Sequence, residues 1–218
     1  MAAPERDTQV LEDPVRKLLA GAACLVASTS VAGPSSIVLD NARVRVFEAS
    51  TAPSLVEHPA AVVVVLRDGA TRKAGDAYWS GDLAVPQDTG AVAVGSFIIV
   101  EPKESAPPRT PAPRPPDAGT RPDPSVFTGM SFVPLFDNER VRVIRGRMEV
   151  GAQEGFHTHS SDIVIVHLSG GAIEDTADGK TKVNHWKHGD VEFEARGSSH
   201  SARNLGPAVD AILVTLKP

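Results

Sequence analysis

Hydrophobic and polar residues alternate with a period of two along much of the chain. In "RVRVIRGR" Val141 and Val143 alternate with Arg140 and Arg142, and farther on Ile163, Ile165 and His167 alternate with Val164, Val166 and Leu168. Side chains of an extended strand point in turn to opposite faces, so this period predicts strands whose two faces meet different surroundings. After residue 33 no segment carries the apolar stripe of an amphipathic helix. Asp178-Gly179 and Asp68-Gly69 predict hairpin turns. Each half of the chain therefore reads as an antiparallel sandwich or small barrel.

The pattern also repeats. "VLDNARVRVFEAS" at 38–50 returns as "LFDNERVRVIRGR" at 135–147, and each copy leads into a valine-rich strand with a glycine turn, "EHPAAVVVVLRDG" and "THSSDIVIVHLSGG". Both copies then reach a Gly-Asp pair, Gly75-Asp76 and Gly189-Asp190. The shared order argues for a duplicated unit. Between the copies, nine of the eighteen prolines fall within residues 102–124. Proline lacks an amide donor and fixes φ, so an extended, semi-rigid connector is expected there. The expected division is a first domain over 33–101, a proline-rich linker over 102–125 and a second domain over 126–218.

Composition narrows the function classes. With 218 residues, 41% of them hydrophobic and 22% charged, the chain has the balance of a globular protein. Aromatics are only 5%, which favours short strands and tight turns. A net charge of −5 gives no electrostatic basis for binding nucleic acid. Cys24 is the only cysteine, which excludes an intrachain disulfide and a thiolate metal cluster. The apolar run at 18–27, "LLAGAACLVA", is too short for a membrane span and long enough for the core of a secretory signal. Arg16 and Lys17 precede it and Ser30-Val31-Ala32 follows, whereas Glu5, Asp7, Glu12 and Asp13 do not suit a signal; a start at Val15 would remove the conflict. Residues 1–32 are thus expected to be a signal peptide or an N-terminal extension, the alternative being a short helix docked on the fold. If 15–32 acts as a signal the protein is periplasmic or secreted, and otherwise it is cytoplasmic.

Candidate chemistry concentrates in the second copy. His157 and His159 sit at i and i+2, on one face of a strand, where both imidazoles can reach one ion. Gly151, His157, His159 and Gly170, followed by Gly189, Gly197, His200 and Asn204, match two motifs in order and internal spacing, G-x5-H-x-H-x(3,4)-E-x6-G and G-x5-P-x-G-x2-H-x3-N. In these motifs the chain resembles the cupin superfamily, well over residues 130–218 and more loosely over the first half. The resemblance implies an all-β protein of two tandem cupin-type double-stranded β-helix barrels joined by the proline-rich linker, the second carrying a three-histidine variant of the metal site.

On that mapping His157, His159 and His200 are the metal ligands. Ala195 stands at the motif proline and Ile163 at the motif glutamate. Asp162 has the wrong parity to replace that glutamate unless its strand is bulged. Three imidazoles suffice for a catalytic metal. They suit iron, zinc, manganese, nickel or copper, so one divalent ion is expected without its identity. Held by neutral ligands, it would favour an anionic or chelating small molecule.

Phe156, Ile163, Ile165 and Phe193 are expected to line the cavity, with His167 deeper, as a hydrogen-bonded core residue or as a group acting behind the metal ligands. His58 aligns with His159, and Val56 with His157, so the first half is expected to hold no metal and His58 to be a surface or turn residue. The expected function is a metal-dependent cupin, in its specific form a three-histidine non-haem iron dioxygenase; the alternatives are a non-catalytic metal- or small-molecule-binding module and a two-barrel structural protein. The expected partner is a small molecule, with no nucleic acid and no membrane span, and exposed sheet edges leave room for a homodimer.

Overall fold

The computed structural model describes residues 35–50, 58–69, 71–82, 97–103 and 127–217; the N-terminal segment 1–32, Val56 and residues 104–125 of the expected linker lie outside them. Every regular element among the described residues is a β-strand. The first sheet contains β1 (Ser35–Asp40), β2 (Val44–Ala49), β3 (Val62–Val65), β4 (Ala77–Trp79) and β5 (Phe97–Pro102), in the order β1-β2-β5-β3-β4. The second contains β6 (Phe127–Asp137), β7 (Val141–Thr158), β8 (Asp162–His167), β9 (Gly171–Ala177), β10 (Lys180–Trp186), β11 (Val191–Glu194), β12 (Ser199–Gly206) and β13 (Val209–Leu216). Their order is β10-β9-β12-β7-β13-β8-β11, with β6 paired to β7. Adjacent strands of both sheets run antiparallel.

The repeat folds as a repeat. The order β2-β5-β3-β4 returns as β7-β13-β8-β11, and β1 lies on β2 as β6 lies on β7. The Asp-Asn turn is built twice. Asn41 Oδ1 accepts from the amides of Arg43 (2.7 Å) and Val44 (3.0 Å), and Asn138 Oδ1 accepts from those of Arg140 and Val141, both at 2.9 Å. A side-chain carbonyl two or three residues before those amides closes the turn that backbone groups alone would leave unpaired. The Gly-Asp pairs are equivalent too: Gly75 N donates to Val65 O and Gly189 N to His167 O, each at 2.8 Å. Val65 therefore occupies the place of His167.

That register corrects the alignment of His58. Counting back from Val65 and His167, His58 falls at the place of Ser160, one position away from His159. It is also not a surface residue: the ring is buried, its Nδ1 lies 2.8 Å from Glu101 Oε1 and its centroid 4.8 Å from that of Phe47. Asp178-Gly179 forms the expected two-residue hairpin, both residues at positive φ, between the paired Ala177 and Lys180. Asp68-Gly69 does not. It lies in the longer connection between β3 and β4, where the Asp68 carboxylate accepts from Ala74 N at 2.9 Å.

The two copies do not have separate cores. The described residues between 35 and 217 form one compact unit. Val44, Val46, Val62, Val64, Ile98 and Val100 of the first sheet meet Val141, Val143, Val164, Val166, Ile212 and Val214 of the second in a single apolar cluster. Each of these side chains is at most 1% exposed, and burying one stabilises the fold by roughly 1.5–3 kcal/mol. Polar ties cross the same boundary: Arg43 Nε pairs with buried Asp162 at 2.9 Å, and Arg140 Nη2 donates to Pro102 O at 2.8 Å. Strand alternation thus gives β8 two roles. Asp162, Val164 and Val166 face the first sheet, leaving Ile163, Ile165 and His167 for the interior of the second.

Candidate metal centre

β7 and β12 bring the motif histidines together. His200 stands directly opposite His157 in the antiparallel register, and His159 follows the end of β7. The loop after β11 fixes His159: its amide donates to Ser198 O (2.9 Å) and its carbonyl accepts from Gly197 N (2.8 Å). Gly197 sits at φ +85°, a conformation L side chains rarely adopt, which explains glycine there. The ring centroids of His157 lie 4.8 Å from those of both His159 and His200, and the latter two are 5.0 Å apart. One nitrogen from each ring falls within 4.8 Å of the others.

Outer contacts aim the rings. His157 Nδ1 donates to Gly155 O at 3.0 Å and His200 Nδ1 to Asp175 Oδ1 at 2.9 Å, which leaves both Nε2 atoms as lone-pair donors to an ion. The Nε2 atoms of His159 and His200 lie 3.1 Å apart, the span of two bonds of about 2.1 Å meeting at about 95°. Burial, then the charges of His157 and His200, push the His159 imidazole down to about 3, and burial also lowers His157. At neutral pH these rings are uncharged bases, the form in which imidazole binds a metal. The donor set fits one divalent ion.

The motif glutamate is absent at Ile163, yet a carboxylate stands beside the cluster. Glu194 of β11 pairs in register with Ile163. Its Oε2 is 3.4 Å from His159 Nε2 and its Oε1 3.7 Å from His200 Nε2. Burial, then the charges of Glu192, Glu154 and Asp175, push Glu194 up to about 8. Glu154 Oε1 lies 3.4 Å from His157 Nε2, and burial raises it as well. A cation among them would oppose both shifts. The sequence reading missed these acids. The available signal was "VEFE", in which Glu192 and Glu194 share the face that Val191 and Phe193 do not.

The triad opens into a cavity of about 310 Å³. Ile163, Ile165 and His167 line it, as do Met148, Leu213 and Trp186 and the carboxylates Glu154, Asp175, Glu192 and Glu194. Two expected lining residues lie elsewhere. Phe156, of opposite parity to His157 and His159 at the end of β7, is 48% exposed and outside the lining. Phe193 has the opposite parity to Glu192 and Glu194 and packs against the shared core of the two sheets. His167 is buried in the cavity wall, but neither of its ring nitrogens is hydrogen-bonded among the described residues. Asp162 is held by Arg43 and by the amide of Arg196 (2.8 Å), away from the cavity.

Comparisons with known proteins add the following. No family model and no curated protein matches the chain. Among solved structures it is similar to a cupin domain from Bordetella pertussis, with 24% identity over 42% of this chain and 96% of that one, at a TM-score of 0.39. It is similar to an RmlC-like cupin from Shewanella frigidimarina, with 21% identity over 42% of this chain and 78% of that one (TM-score 0.36). A cupin superfamily protein from Desulfitobacterium hafniense matches with 16% identity over 41% of this chain and 78% of that one (TM-score 0.35). Over about two fifths of its length, what this chain is similar to is the cupin domain.

Proposed function

We propose that the second sheet is a metal-dependent cupin enzyme acting on a small organic molecule. His157, His159 and His200 would hold one divalent ion, with Glu194 at its side. The observation that carries this reading is the convergence of three imidazole nitrogens, two of them aimed by bonds from their far ring nitrogens, in the wall of a half-open cavity. The bound ion would supply Lewis-acid or redox chemistry, and three-histidine sites fit the dioxygenase form of it. The apolar wall would hold the substrate body and exclude water. Glu194, protonated in the metal-free site and close to two ligands, is placed to take or give a proton at the substrate atom nearest the ion.

The four carboxylates revise the expected substrate. Neutral ligands alone would leave the ion its full charge and favour an anion. With Glu154, Asp175, Glu192 and Glu194 in the wall, a chelating but uncharged molecule suits the cavity better.

The test is elemental analysis of untagged protein, followed by oxygen consumption with iron supplied across β-diketones and catechols. One metal per chain is expected, reduced at least a hundredfold in affinity by His159→Ala or His200→Ala. Metal uptake without turnover of any compound would favour a binding module. No uptake on reconstitution would end the reading.

A further inference from the structure

The cavity wall also holds a histidine that the metal centre does not use. His167 ends β8 on the face of Ile163 and Ile165, and its side chain is 5% exposed. Neither ring nitrogen has a hydrogen-bond partner among the described residues. The nearest acid, Glu192 Oε2, is 3.8 Å from Nε2, beyond hydrogen-bond reach. Trp186 stacks on the ring at 4.4 Å and 12°, fixing its plane. Asn184 and Glu192 line the same cavity. Along β8, Glu194 stands opposite Ile163 and Glu192 opposite Ile165. His167 is therefore two side chains farther along this wall than Ile163, about 13 Å of strand.

The first sheet supplies an internal control. Val65 occupies the same place, with the same backbone bonds to its Gly-Asp turn, and is 1% exposed. The backbone of this position thus accepts an aliphatic side chain and does not itself call for an imidazole. A buried imidazole without partners is a costly substitute unless something else bonds to it.

We propose that His167, with Glu192 and Asn184, is a recognition subsite for a hydroxyl or amino group at the far end of the ligand. The proposal rests on this cavity being the substrate site, as proposed above. A neutral imidazole offers one donor and one acceptor, and a carboxylate only accepts. A group that both donates and accepts satisfies both. Between this subsite and the triad the wall is Ile165, Leu213 and Met148, which suits an apolar body. The ligand class is an uncharged molecule, polar at both ends and apolar between.

The experiment compares 4-ethylphenol with ethylbenzene, the same body with and without a hydroxyl, on the full chain by calorimetry, with and without bound metal. The wild type is expected to bind the phenol roughly tenfold more tightly, the scale of one buried hydrogen bond. His167→Val should abolish that preference and leave metal content unchanged. His167→Gln should keep part of it. A wild type that binds neither compound or does not discriminate, or a preference that survives in His167→Val, would each overturn the proposal. A protein that binds no metal yet discriminates through His167 would overturn only the enzyme reading.

Discussion

The two sheets share one strand order over β2-β5-β3-β4 and β7-β13-β8-β11, to which the second adds β9, β10 and β12, and they differ in what their interiors hold. On the face they share, the residues match in kind: Val44 with Val141, Val46 with Val143, Val62 with Val164, Val64 with Val166, Ile98 with Ile212 and Val100 with Val214. On the opposite face they diverge. Where the second sheet has Ala211, Glu192, Glu194, Ile163 and His167, the first has Phe97, Tyr78, Ser80, Ala61 and Val65. Val63, Val65 and Phe97 pack with Tyr78 into an apolar cluster in the first sheet. The difference teaches that the joint between the sheets and the cavity are separate designs carried by alternate residues of the same strands. Fold stability sits on one parity and chemistry on the other.

The strongest challenge to that division is to cut the shared face symmetrically. Ile98 and Ile212 are both within 1% of full burial in the one cluster. Ile98→Ala and Ile212→Ala should each cost about 2–5 kcal/mol, with both sheets unfolding in one transition. Metal binding by the folded Ile98→Ala protein should be unchanged. Two transitions in urea, or a cost confined to one variant, would mean that the halves are independent.

A second challenge transplants the interior. Ala211 faces His167 in the register, as Phe97 faces Val65. Ala211→Phe should fill part of the cavity, as Phe97 packs on Val65 at the matching place of the first sheet, at an overpacking cost of about 1–3 kcal/mol. Metal content should persist while 4-ethylphenol binding is lost. Binding at wild-type strength would show that the ligand sits somewhere else.

This separation also explains what could be read from the chain. The period of two, the repeated Asp-Asn-x-Arg-Val-Arg-Val turn and the paired motif glycines are local features, and they announce the strands, the duplication and the triad. The shared core is not local. Val164 and Val166 read as one face of a barrel strand, and only the tertiary fold shows that the surface beyond them is a second sheet. The same gap misplaced Phe193: a phenylalanine near motif histidines suggests a cavity, whereas its parity sends it to the joint and turns Glu192 and Glu194 inward. His58 illustrates register. A match of residue type set it on His159, and the backbone bonds of Val65 and His167 move it by one position. A carboxylate lost at Ile163 and present across the strand pair at Glu194 leaves no trace in a motif, because motifs follow the chain and ligands follow space.

The smallest test concerns a charge cluster found in one copy only. Arg145 Nε and Arg147 Nη1 approach the Asp210 carboxylate at 3.1 and 3.0 Å, while Glu48 and Ser50 hold the matching places in the first sheet. Burial pushes Asp210 up, but the hydrogen bond and charge of Arg145, with those of Arg147, outweigh it and hold the carboxyl below its usual range. A folded-state value below the unfolded one means that the unfolded chain binds more protons at acid pH, so the contribution is present above the usual aspartate value of about 3.9 and fades as pH falls through the lower, folded one. Both arginines are more than a third exposed, which limits the effect to below about 1 kcal/mol at pH 7. Asp210→Asn should therefore lower the urea midpoint slightly at pH 7, by less in high salt, and the difference should shrink between pH 4 and pH 3. A gap that stays constant down to pH 3 would assign the effect to packing of the carboxamide instead of to the charge.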